Sequence, residues 1–187
     1  MSAQDSKLFV ISGPSGAGKG TLVTRVRERR SNLGLTVSAT TRAPRKGEVD
    51  GVNYFFLTRE EFDRRVASGE FVEWAEVHGN CYGTLVSEVT SKLASGSSLI
   101  LEIDVQGALQ VKERFPEAVL IFIKPPSLEV LRERLVGRGT ETPETIELRM
   151  ANAADELADR YDDVVVNDDL DRATDELVRV LDMHERI

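Results

Sequence analysis

Residues 11–22 read ISGPSGAGKGTL, with two glycines and a lysine at the offsets of the phosphate-binding loop G-x-x-x-x-G-K-[ST]. Gly13, Gly18 and Lys19 occupy the pattern, and Pro14, Ser15, Gly16 and Ala17 fill the span between the glycines. The residue after the lysine breaks the rule. It is Gly20, and the hydroxyl that would meet a magnesium ion falls one place later, on Thr21. A pattern this short recurs by chance, so its surroundings decide. Before it, Leu8–Ser12 is a short apolar run suited to a buried strand. After it, Leu22, Val23 and Val26 recur at helical spacing until Asn32–Gly34 stops the helix. Strand, glycine loop and helix together are the context the motif requires. Glycines permit positive φ and let backbone N–H groups face an anion, the helix N-terminus adds a favourable dipole, and Lys19 adds a mobile charge.

The same alternation continues downstream. Leu99–Ile103, Val119–Ile123 and Val164–Val166 are short apolar runs, each followed by a helical pattern: Val105–Phe115, Leu128–Val136 and Leu170–His184. That rhythm predicts a parallel sheet covered on both faces. Residues 37 to about 96 depart from it. Val52–Phe56 and Phe71–Val77 read as strands of alternating polarity, set among turn-rich pieces such as RKGEVDG and HGNCYG. We expect an inserted, partly antiparallel lobe there. A second insertion is expected at Gly137–Pro143, where a helix stops and Thr142–Pro143 restarts one with a cap and a first-turn proline.

With 187 residues, 41% hydrophobic and 30% charged, the chain suits one domain with a full core. A formal charge of −8 argues against a nonspecific nucleic-acid binder, yet a local arginine cluster can still hold a phosphate. Cys81 is the single cysteine, so no intrachain disulfide is expected and a reducing, cytoplasmic setting is. The apolar run Leu8–Ile11 is too short for a signal peptide or a membrane span.

Three clusters bear on the chemistry. SATTRAPRKGEVDGVNYFF places Arg42, Arg45 and Lys46 beside the hydroxyls of Ser38, Thr40 and Thr41, with Tyr54 following. Two readings stand: a solvated basic loop, or two forked guanidiniums and hydroxyls gathered on a terminal phosphate. In FVEWAEVHGNCYGT, alternation puts Glu73 on a face with Phe71, Ala75 and Val77, and Glu76 with Val72 and Trp74. Glu73 is either an edge-strand acid turned to water or an acceptor for guanine N1–H and N2–H₂, a donor pair that adenine lacks. In LRERLVGRGTETPETIELR, Arg134, Arg138 and Arg149 flank a glycine-rich loop, either on a solvated face or on a lid closing over phosphates. Asp104, just past Leu99–Ile103, falls at the carboxyl end of a strand, where such sheets bind ligands. There it suits a magnesium-bound water or a ligand base.

In this order, GPSGAGKGTL, SATTRAPRKGEVDGVNYFF, EWAEVHGNCYGT, LEIDVQGA, RLVGRGTET and VVNDDL resemble guanylate kinase over nearly the whole chain. The resemblance implies an α/β fold: a P-loop parallel sheet with helices on both faces, an inserted mixed α/β nucleoside-monophosphate-binding lobe and a helical lid. The core would comprise 1–36, 97–125 and 158–187, the GMP-binding lobe 37–96 and the lid 126–157. The implied reaction moves the γ-phosphoryl group of ATP to GMP, giving ADP and GDP, with Mg²⁺ as cofactor. Carried over by position, ATP binding falls to Gly13, Pro14, Ser15, Gly16, Ala17, Gly18, Lys19, Gly20 and Thr21, with Arg134, Arg138 and Asn167. The GMP phosphate falls to Ser38, Arg42, Arg45, Tyr54 and Tyr82, and the guanine to Glu73, Thr84 and Asp104. Lys19, Arg42, Arg138 and Arg149 would carry catalysis.

Gly20 then reads as a variant seen among nucleoside-monophosphate kinases. Mg²⁺ would be held mainly by nucleotide phosphates and water, with Thr21 and Asp104 nearby. Cys81 is expected to be a spectator, and His78 and His184 bystanders. ATP and GMP are the implied partners of a monomer or small homo-oligomer, with no nucleic acid and no membrane. Two rival readings stand beside it: an inactive guanylate-kinase-like binding module, and a kinase for another small phosphorylated acceptor. Lys19 and the lid arginines speak against the first, Glu73 and the Ser38–Arg45 segment against the second.

Overall fold

The computed structural model describes residues 6–77, 79–137, 143–144, 146–147, 150 and 160–185. Five parallel strands form the main sheet in the order β2-β7-β1-β8-β9. They are β1 (Leu8–Ser12), β2 (Gly34–Leu35), β7 (Leu99–Glu102), β8 (Val119–Lys124) and β9 (Asp163–Val166). β1 lies at the centre, and all five of its residues are buried. Its side chains alternate between two cores. Phe9 and Ile11 pack with Leu22, Val23 and Val26 of α1 (Lys19–Arg29) and with Ala173, Leu177 and Leu181 of α6 (Leu170–Glu185). Leu8 and Val10 turn the other way, onto Val89 of α3 (Val86–Ala94) and Ala108 and Val111 of α4 (Val105–Arg114). Covering both faces is why the strand reads as an unbroken apolar run rather than an alternating one. Truncating Phe9 or Ile11 to Ala would cost about 2–5 kcal/mol.

Between β2 and β7 the chain builds a second sheet, ordered β4-β3-β6-β5, from β3 (Ala39–Thr40), β4 (Phe55–Phe56), β5 (Phe71–Val77) and β6 (Asn80–Leu85). β3 pairs parallel with β4 and antiparallel with β6, and β5 and β6 form an antiparallel hairpin. This is the expected inserted lobe of mixed pairing. Its own core sits under α2 (Arg59–Ala67), where Phe62 stacks on Phe71 at 4.3 Å between ring centroids, with Ala39, Cys81 and Leu85 around them. α5 (Leu128–Gly137) follows β8, and Ile146 and Met150 pack on its Leu131 and Leu135. The loop Gly139–Thr142 of the expected second insertion lies outside the described residues.

Three expectations change. The strand expected at Val52–Phe56 shrinks to Phe55–Phe56. Residues 51–53 are a turn, with Gly51 at φ 74°, Val52 67% exposed and Asn53 Oδ1 accepting from Val49 N–H at 2.8 Å. In the segment HGNCYG, Asn80–Gly83 are strand rather than turn, because β6 already begins at Asn80. Most consequential, Glu73 does not share a face with Phe71. The register shifts between Phe71 and Glu73, leaving Val72 as the extra residue of a bulge. Phe71 and Trp74 thereby both reach Phe62 on the α2 side, whereas Val72 and Glu73 both turn toward α4.

Two helices of the lobe, α2 and α3, were absent from the sequence expectation. α2 carries a legible signal, since the Thr58 hydroxyl caps it by accepting from Glu61 N–H at 3.1 Å, with Glu60 and Glu61 in the first turn.

Candidate active site

The loop after β1 opens at the carboxyl ends of the parallel strands. Its glycines are there for geometry. At Gly13, with φ 140°, a side chain would run into the Ile123 carbonyl of β8. At Gly16, with φ 94°, one would press 2.9 Å from Leu131 of α5. Gly18, left-handed at φ 90°, starts α1. Gly20 is different: a Cβ there would make only ordinary contact with Glu102, at 3.5 Å, so space does not demand a glycine.

Lys19 folds back over the loop, its Nζ donating to the carbonyls of Gly13 at 2.6 Å and Pro14 at 3.1 Å. Two partners brace the loop from behind. The buried Asn167 amide donates to the Ala17 carbonyl at 2.7 Å, and Arg134 Nη2 donates to the Asn167 carbonyl at 2.9 Å. Arg134 and Asn167 therefore touch the loop and each other. A pocket of about 300 Å³ lies over the loop, lined by Ser15, Gly16, Gly18, Lys19, Gly20, Thr21 and Glu102. Glu102 was not singled out in the sequence. It is the last residue of β7, and desolvation by its crowded surroundings pushes its carboxyl above the usual range while the Lys19 charge draws it back.

On the lobe side, Arg42, Tyr54 and Tyr82 come together. The Arg42 guanidinium lies 5.4 Å from the Tyr54 ring centroid and 5.9 Å from that of Phe56, and the Tyr54 and Tyr82 rings meet edge-on at 6.3 Å. Ser38 stands one residue before β3, its carbonyl accepting from Phe55 N–H at 2.9 Å. Arg45 is exposed on the adjoining loop.

The β5–β6 hairpin supplies the other end. Glu73 and Thr84 face each other across the ladder, 8% and 0% exposed. Burial, above all, pushes the Glu73 carboxyl up to about 7; the charge of Asp104 adds to this, and Thr84 opposes it. Among the described residues the Thr84 hydroxyl, though near enough to Glu73 to draw its pKa down, completes no hydrogen bond of good geometry. Such a buried polar pair is costly unless a further partner arrives. Gly107 makes room for it, since a Cβ there would lie 3.2 Å from Glu73 Oε2 and 3.3 Å from Asp104 Oδ1. Asp104 itself caps α4, Oδ1 accepting from Gly107 N–H at 2.7 Å, which leaves Oδ2 for another donor. It stands on the Glu73 side, and the acid over the phosphate loop is Glu102.

Of the remaining expected residues, Arg138, Arg149 and His78 lie outside the described residues. Cys81 is buried in the lobe core, and burial raises its thiol pKa. His184 Nε2 pairs with Asp163 Oδ2 at 2.6 Å, tying α6 to β9.

A parallel sheet with a phosphate loop at its carboxyl edge, facing a lobe that gathers an arginine, two tyrosines and a buried carboxylate, defines a P-loop kinase of a small acceptor. The family model for guanylate kinase matches residues 5–184. Guanylate kinase of Halalkalibacterium halodurans is 52% identical over 97% of this chain and 90% of its own length. That of Gloeobacter violaceus is 56% identical over 94% and 87%. The crystal structure of guanylate kinase from Anaplasma phagocytophilum superposes with a TM-score of 0.74 at 36% identity, covering 96% of this chain and 86% of that one. The chain belongs to the guanylate kinase family, and it is an enzyme that phosphorylates GMP with ATP.

Proposed function

We propose that the phosphate loop holds ATP, that the lobe from 37 to 96 holds GMP, and that the region 126–157 closes over both. The buried Glu73–Thr84 pair carries this reading, because guanine offers N1–H and N2–H₂ to an ionised Glu73 and adenine has no such pair. Arg42, Arg45, Tyr54, Tyr82 and Ser38 then take the GMP phosphate, and Asp104 a further donor of the base. The acceptor phosphate has a second pKa of about 6 and is mostly dianionic near neutral pH, so no general base is required. The task is to bring two anions into line and exclude water. Lys19 leaves its loop carbonyls for phosphate oxygens, and Arg138 and Arg149 add charge as the lid closes, which limits ATP hydrolysis while GMP is absent.

The residues over the loop suit Mg²⁺ by donor type. Thr21 and Glu102 offer hard oxygens beside the phosphate pocket, and no group of three His, Cys, Asp or Glu among the described residues forms an all-protein cage. We therefore assign the ion mainly to nucleotide phosphates and water, with Thr21 and Glu102 nearest. When bound, it would neutralise phosphate charge.

No helix among the described residues is long and apolar enough to cross a membrane. The charge of −8 and single cysteine support a cytoplasmic enzyme acting on free nucleotides rather than nucleic acid, and we take it to work as a monomer or small homo-oligomer. A coupled ADP-release assay with GMP, AMP, UMP, dTMP and ribose phosphates in turn tests the assignment. Turnover with GMP alone is expected; equal turnover with AMP would refute the role of Glu73.

A further inference from the structure

The loop from Arg42 to Glu48 closes on itself through one carboxylate. Glu48 Oε1 accepts from Arg42 Nη2 at 2.9 Å and Oε2 from Nη1 at 3.0 Å, an end-on, two-pronged pairing. Oε2 also accepts from the Arg45 backbone N–H at 2.6 Å, and the N–H of Glu48 returns to the Arg45 carbonyl at 3.0 Å. Both side chains of the pair are well covered, 15% and 19% exposed. The Arg42 guanidinium, and after it the Arg45 N–H, hold the Glu48 carboxyl below the usual range, so the pair is intact at neutral pH.

The geometry leaves Arg42 half used. Nη1 also donates to the Ala43 carbonyl at 2.7 Å, so Glu48 and Ala43 together take three donors. A guanidinium has five. The remaining two, Nε–H and the outer proton of Nη2, lie side by side on the other edge, the second fork able to grip an anion with two bonds. The plane of that fork is steadied by the Tyr54 and Phe56 rings, and Tyr82 stands against the same guanidinium. By charge alone an acid here is a handicap, since it weakens the attraction of Arg42 for a phosphate. What it supplies is order: a long side chain fixed beforehand has less freedom to lose when the anion arrives.

We propose that Glu48 is a positioning residue for the acceptor phosphate, holding the end fork of Arg42 and the backbone of Arg45 so that the side fork of Arg42 faces the phosphate of GMP. Glu48 is not displaced by GMP; it stays bound to Arg42 in the complex. The proposal rests on the reading of Arg42 as a phosphate contact, and the two can fail separately.

The test is calorimetric titration of GMP, and of guanosine as the ligand without phosphate, into wild type, Glu48→Ala, Glu48→Gln, Arg42→Ala and the Glu48→Ala/Arg42→Ala double variant. Thermal melts check that each is folded. Glu48→Ala is expected to weaken GMP about tenfold, the scale of one mobile side chain left unordered, and guanosine less than about twofold. Glu48→Gln, which keeps one acceptor oxygen, falls between wild type and Glu48→Ala. In steady state KM for GMP rises while KM for ATP is unchanged. The double variant loses much less than the sum of the two single losses, since Glu48 acts mainly through Arg42 and for the rest through the Arg45 backbone.

Unchanged or tighter GMP binding in the Glu48 variants, with Arg42→Ala still weakened, would overturn the positioning role and leave the phosphate reading standing. Equal losses for GMP and guanosine, or additive losses in the double variant, would overturn it too. If Arg42→Ala binds GMP normally, the phosphate reading fails and the role of Glu48 with it. Should Glu48→Ala not fold, Glu48→Gln decides by the same comparison.

Discussion

Replacing Glu73 by glutamine keeps the shape of the side chain and removes its titration, and the structure sets the scale of the effect. A carboxyl raised from 4.5 to about 7 by burial carries about 3 kcal/mol of difference between its protonation states. Because the folded protein holds this proton more tightly than the unfolded chain, the associated stability is fully present below pH 4.5. It is lost as pH rises through about 7. In urea melts of the free protein, Glu73→Gln should match wild type near pH 4 and exceed it by about 3 kcal/mol near pH 8.

GMP reverses the preference. Accepting from both N1–H and N2–H₂ requires the ionised form, so below its pKa of about 7 Glu73 must lose a proton to bind guanine. Affinity should then fall about tenfold for each pH unit below 7. Guanosine is the cleaner ligand, since the GMP phosphate titrates near pH 6 on its own account. Calorimetry at pH 6 in two buffers of different ionisation heat should detect nearly one proton released per guanosine bound by wild type, and none by Glu73→Gln. Guanosine affinity that ignores pH between 5 and 8, or a Glu73→Gln enzyme that uses GMP normally, would refute the reasoning.

Three further outcomes are expected. Lys19→Met should lower kcat by about 10²–10³ with melting temperature preserved, because the lysine acts on charge that develops at the phosphates; near-normal turnover would sink that role. Asn167→Ala removes the buried amide from the Ala17 carbonyl and should cost about 1–3 kcal/mol of stability, raising KM for ATP and sparing that for GMP. A rise confined to GMP would mean that Asn167 does not brace the ATP loop. Glu102→Gln should shift the Mg²⁺ dependence of turnover to higher concentration, and an unmoved titration midpoint would take Glu102 away from the metal.

Much of the fold was legible because it is local. The run LFVIS, the glycines behind it and the apolar spacing of α1 lie within two dozen residues, and both faces of a central parallel strand demand the same apolar side chains. Arg42 and Tyr54 stood out as a guanidinium and a hydroxyl around turn residues, with a solvated loop as the rival reading; Tyr82 entered only through the family resemblance, and the fold brings it beside them. Short strands such as β3 and β4, two residues each, left almost no pattern, because what makes them strands is a partner far along the chain.

Taken alone, the order of residues determined the phosphate loop, the alternating core around it and the candidate residues for each substrate. Tertiary structure decided where each acid lies. Alternation placed Glu73 beside Phe71, but one extra residue at Val72 turns it to α4, Gly107 and Asp104. Glu48 and Glu102 carry no distinctive spacing at all; they matter because Arg42 lies across one loop and because Lys19, at the start of α1, lies beside the end of β7. A bulge, an ion pair and a desolvated carboxylate are properties of neighbours brought together by folding, and a linear pattern records only neighbours along the chain.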